Sequence, residues 1–148
     1  MTRGRLDDTY AASLQHDSAD IPPDATRVGV VRRPTPWFNA VVDENRPAVA
    51  PPDELLDEVK TEHERLLEAG FDDAPAHNRA LDAVDYDARY RSHLESPSAR
   101  EVIEEIVARI ESGSDVALVC YENTEKKRCH RTILREIIEG RISGGDTG

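Results

Sequence analysis

Lysine is nearly missing from this chain: Lys60, Lys126 and Lys127 stand beside sixteen arginines and thirty acidic residues, for a formal net charge of -11. A carboxylate-rich, lysine-poor surface is the pattern of proteins that stay soluble in concentrated salt, so the composition reads as halophilic. A G+C-rich genome favouring arginine codons would explain the scarce lysine but not the acid excess. Salt bears on function, because at ~1 M the Debye length is only ~3 Å. The negative surface then does little to repel an anionic ligand, whereas a duplex held by phosphate contacts alone would bind weakly.

Cysteine is also scarce. Cys120 and Cys129 are the whole complement, too few for a disulfide framework, and in a reducing compartment both are expected as thiols. No apolar run approaches the ~20 residues that cross a bilayer, and the opening MTRGRLDDTYAAS lacks the apolar centre of a signal peptide. A cytoplasmic protein with no membrane association is the expectation. No internal repeat is visible, and His16, His63, His77 and His93 show no ligand spacing, so neither a metal nor a cofactor is expected.

What is present divides into alternating strand and helix signals. Residues 1–8 read as a disordered N-terminus, 9–141 as one domain, and the tail from 142 to 148 as disordered. TYAASL, from Thr9 to Leu14, reads as a first strand, and TRVGVV, from Thr26 to Val31, as a short buried one. Proline density makes Pro34 to Pro52 a long loop, which the adjacent Trp37 and Phe38 would pin to the body by burial. Leu55, Leu56, Val59, Leu66 and Leu67 then recur at helical spacing up to Gly70. One or two short helices follow around Leu81, Val84, Tyr90 and Leu94. Ser98 and Glu101 form a capping box ahead of a helix that stops at Gly113. DVALVCYE, from Asp115, suits a central parallel strand covered on both faces. A last helix carries Ile133, Leu134, Ile137 and Ile138 and ends near Gly140. The alternation predicts an α/β fold: a layered, Rossmann-like domain with a central, mostly parallel sheet flanked by helices.

In such sheets ligands bind beyond the carboxyl ends of the strands. Were TRVGVV and DVALVC parallel neighbours, Arg32 and Arg33 would leave one strand end, and Cys120 with the cluster from Lys126 to Arg131 would leave the other. Cys129 falls at a helix start, where unpaired N–H groups stabilise a thiolate or an anion. Each feature also has an ordinary reading: Cys120 as a small buried hydrophobe, the basic loop as a solubilising surface, Arg32 and Arg33 as a solvated strand end. Cys129 and Arg135 have the spacing of the tyrosine-phosphatase loop, but HRTIL lacks the glycines that let a backbone wrap phosphate, which excludes it.

Cys120, Glu122, Cys129, His130 and Arg131, in VALVCYENTEKKRCHRTIL, together with GVVRRP near the first firm strand, resemble the domain of unknown function 488 family, and the chain is similar to a haloarchaeal-type member from about Thr9 to Glu139. Many members carry an Asp before the arginine of that strand, where Val30 stands here. The resemblance implies a compact α/β fold, with Cys129, His130 and Arg131 as site residues and Glu122 as their acidic member. The expectation is therefore a small anionic ligand bound at the sheet edge by Arg32, Arg33, Cys120 and Arg131. In its thiol-dependent form, Cys129 would be the thiolate, with His130 or Glu122 moving protons. Two alternatives use the same residues: a nucleic-acid-associated accessory protein stacking bases on Trp37 and Phe38, and a redox-sensing interaction module in which Cys120 and Cys129 pair. Neither turnover nor the oligomeric state follows from the sequence.

Overall fold

The computed structural model describes residues 4–15, 21–22, 24–121 and 130–146. β1 (Leu6–Tyr10) runs directly into a short helix, α1 (Ala11–Gln15). This corrects two expectations. The first strand starts inside the stretch expected to be disordered, and most of TYAASL is helical. Arg5, just before this strand, pairs with Asp7 on it at 3.0 Å, and such charges suit an edge strand. β2 (Thr26–Gly29) follows, and the Val30 N–H extends its ladder to the Val119 carbonyl at 3.0 Å.

The proline-rich segment is more ordered than a loop. It holds α2 (Pro36–Val41), β3 (Glu44–Asn45) and a 3-10 turn at Pro47–Val49. Thr35 caps α2 by accepting from the Phe38 N–H, and Pro36 takes the first helical position, where its missing donor costs nothing. Phe38 is fully buried, whereas Trp37 is 40% exposed, so one of the two aromatics anchors the segment.

α3 (Asp53–Glu68) ends before Gly70, whose φ of 101° is the left-handed geometry that favours glycine at a helix stop. α4 (Asp73–Ala83) and α5 (Tyr86–His93) are separated by Asp85, at φ 56°. α6 (Pro97–Glu111) is capped by Ser96, whose side chain accepts from the Ala99 N–H. The cap is therefore two residues earlier than the Ser98 box, because Pro97 already occupies the first turn. Gly113, at φ 105°, lies beyond its end as expected. β4 (Val116–Cys120) and α7 (His130–Asp146) complete the described elements. α7 runs on past Gly140 and residue 141 into the expected tail, so this glycine is no stop.

The sheet is four-stranded, in the order β1-β4-β2-β3, and every pairing is parallel. The predicted neighbours TRVGVV and DVALVC do pair, with Thr26 opposite Val116 and Gly29 opposite Val119. The domain is thus a layered, Rossmann-like α/β fold. All five residues of β4 are buried, the pattern of a parallel strand covered on both faces. α6 and α7 pack against β4, and α7 also packs against β1. Ile103, Ile106, Ile110, Leu134 and Ile138 from these two helices join Val28, Leu118 and Val119 in the main core. Among the described residues, no helix is long and apolar enough to cross a membrane.

Candidate functional site

The parallel register brings the carboxyl ends of the strands to one edge. Tyr10 lies opposite Cys120 at the ends of β1 and β4, and the chain leaving β2 passes through Val30 and Val31 to Arg32 and Arg33. Beyond this edge lies a half-open cavity of about 240 Å³. Its floor is Val31, Cys120, Tyr121 and His130; Leu56 and Val59 of α3, His77 and Leu81 of α4, and Tyr86 of α5 cover it; Arg32, Arg33 and Pro51 complete the wall. The volume is below the roughly 300–1,000 Å³ of ordinary small-molecule sites, which limits an occupant to a compact molecule.

Of the expected site residues, Cys120, His130, Arg131, Arg32 and Arg33 are brought to this edge. Glu122 and Cys129, with Lys126, Lys127 and Arg128, lie outside the described residues. The Cys120 thiol is 1% exposed and accepts from Arg131 Nη1 at 3.3 Å. Arg131 is itself 3% exposed. The same Nη1 donates to the Thr9 carbonyl, while Nε meets Asp8 Oδ2 at 2.6 Å. The other oxygen of Asp8 pairs with Arg135 Nη1; Arg135 also donates to the Leu6 carbonyl at 3.1 Å and pairs with Glu139 at 2.9 Å.

His130 opens α7, and its Nε2–H donates to the Val30 carbonyl, tying the helix start to the residue after β2. Its ring meets Tyr90 edge-on at 5.5 Å, and the Tyr90 hydroxyl donates to the Val49 carbonyl at 2.6 Å. Burial pushes the His130 pKa below the usual histidine value, against the opposing pull of Cys120 and of the hydrogen bond to the Val30 carbonyl, and the nearby Arg131 charge adds a smaller push in the same downward direction. Burial thus favours the neutral imidazole.

Arg32 and Arg33 are less available to an anion than expected. Arg32 donates from Nε to the Pro51 carbonyl at 3.0 Å and from Nη2 to that of Ala50 at 3.2 Å, which fastens the end of the proline-rich segment. Arg33 is half exposed and pairs with Asp57 at 3.0 Å and Asp53 at 3.1 Å on the first turns of α3. Its hydrogen bonds to Asp57 and then Asp53 raise its pKa. The Tyr121 hydroxyl accepts from the Thr35 N–H at 2.8 Å and donates to the Arg33 carbonyl at 3.2 Å, setting the turn that carries Arg33. Trp37, the expected stacking platform, rests edge-on against Tyr121 at 5.9 Å.

Sequence reasoning did not find Asp8, nor the α3 to α5 cover. A signal for Asp8 does exist: Arg131 and Arg135 are four residues apart and share a face of α7, so one acidic side chain facing that side of the helix can serve both cations. Among the described residues, no group of three or more His, Cys, Asp or Glu side chains is placed to hold a metal ion. No curated protein and no solved structure matches the chain. The DUF488-N3a family model, described as the active DUF488-N3 subclade, matches residues 10–142. With nearly all of its length covered by that match, the chain belongs to the domain of unknown function 488 family.

Proposed function

We propose that the protein binds a compact ligand in the cavity at the sheet edge and that Cys120 is its reactive group. The observation that carries this reading is the position of the Cys120 thiol, in the cavity floor, with the Arg131 N–H on its sulfur at 3.3 Å. A thiolate or an oxyanion formed there would be held by a charge-assisted hydrogen bond in a place with little water. His130 lies in the same floor and is neutral, which suits it to proton transfer near neutral pH. Leu56, Val59, Leu81 and Tyr86 would take an apolar body. An anionic end would reach Arg33 at the rim and exchange for Asp53 or Asp57, a replacement eased by exposure of these pairs. The carboxylate-rich composition supports work in concentrated salt, so molar salt is the proper assay medium.

Alkylation of the folded protein by iodoacetamide, read peptide by peptide, tests the reading. Cys120 is expected to react in the native state, and Leu81→Trp, which fills the cavity, should slow that reaction severalfold without changing the rate in urea. A Cys120 that reacts only after unfolding would make it a core residue and end the proposal.

A further inference from the structure

The charges behind Cys120 alternate in sign. Glu139 pairs with Arg135, Arg135 with Asp8, and Asp8 with Arg131, whose Nη1 reaches the sulfur. Arg131 is 3% exposed, and a buried guanidinium without a counter-charge carries a heavy desolvation penalty. Asp8 Oδ2 lies 2.6 Å from Nε as an ion pair, while Nη1 donates to the Thr9 carbonyl and to Cys120. Asp8 is not among the residues that line the cavity.

We infer that Asp8 is a positioning residue for Cys120: from β1 it fixes the Arg131 guanidinium so that one N–H stays on the sulfur. The inference rests on the proposed reactivity of Cys120 and adds the residue that sets its ionisation. Cys120 is faced by Arg131 and His130 from α7, by Tyr10 in register on β1, by Arg33 beyond β2, and by His77 and Tyr86 across the cavity. Of these, Arg131 is the cation in hydrogen-bonding contact with the sulfur. Removing Asp8 has two opposite consequences. If the carboxylate were only a counter-ion, its loss would strengthen the positive field at Cys120 and favour the thiolate. If it positions Arg131, its loss releases the guanidinium from the sulfur and disfavours the thiolate.

The pH midpoint of Cys120 alkylation in Asp8→Asn separates the two. We expect the midpoint to rise by about one pH unit, the size of effect of a close opposite charge, with partial return in Asp8→Glu. A midpoint that stays or falls overturns the inference while leaving Cys120 reactive. A wild-type Cys120 that never labels in the folded state removes the underlying reading, and this inference with it. Should Asp8→Asn lose its cooperative thermal transition, Asp8→Glu carries the test: a midpoint above that of the wild type by a smaller margin supports positioning, and one at or below it does not.

Discussion

His130 should make the protein acid-sensitive over a defined window. Its ring is buried, donates to the Val30 carbonyl and has a depressed pKa through burial, reinforced by Arg131. The unfolded chain takes up the proton near the ordinary value of 6.5, while the folded state resists it. The unfolded state therefore binds more protons as pH falls, and stability falls with it. The contribution is fully present above the unfolded pKa and is lost progressively below it, down to the depressed folded value. The loss between pH 7.5 and pH 5.5 reaches at most about 1.4 kcal/mol, tenfold in the folding equilibrium, the limit set by a folded ring that takes up no proton. Urea unfolding at the two pH values, for wild type and His130→Gln, isolates this part, because every other titrating group is common to both. Glutamine keeps an N–H donor for the carbonyl but cannot titrate. We expect the wild type to lose more than the variant, by up to about 1.4 kcal/mol. Equal losses, or a wild type that gains stability on acidification, would refute the assignment of a neutral buried imidazole.

Two further outcomes follow from the frame of the cavity. A Cβ on Gly29 would lie 2.6 Å from Asn45 Oδ1 and 2.7 Å from Phe38 Cε1, and the Asn45 amide braces both backbone groups of Val31; Gly29→Ala should therefore cost roughly 1–3 kcal/mol in chemical denaturation. Tyr121→Phe keeps the ring packing on Phe38, at 4.7 Å, but strips the Thr35 N–H of its acceptor, and should lower stability by about 0.5–1.5 kcal/mol with an unchanged denaturant slope.

The inner half of the sheet was legible because β2 and β4 are short apolar runs, a pattern that burial on both faces imposes locally. β1 was not. Its sequence LDDTY carries Asp8, whose partners Arg131 and Arg135 are supplied by the last helix, so its pattern makes sense only after the chain has folded. The apolar TYAASL drew attention instead. Helices α3 and α6 were readable from their stripes and their glycine stops, but periodicity says nothing about which end of the sheet a helix covers. The cavity was therefore invisible, although its strand edge could be located. In the proline-rich segment, the Thr35-Pro36 start of α2 was a readable cap hidden by the density of breakers around it. Burial divided Trp37 from Phe38 because α2 turns only one of them inward.

The strand order β1-β4-β2-β3 also dictates how the sheet can assemble. β1 and β2 are close in sequence but do not touch; β4 lies between them, pairing with β1 from Leu6 opposite Val116, and beside that pairing the Arg5 N–H reaches the Asp115 carboxylate across 110 residues. Until that late segment has been synthesised, β1 has no strand to pair with among the described residues and β2 has only the two-residue β3. A nascent chain must hold these edges apart from other chains while α3 to α6 form, and the slow, long-range closure of the sheet becomes its most aggregation-exposed moment. The two aspartates of β1 then serve before any native contact exists, since a charged strand is a poor template for a stray one.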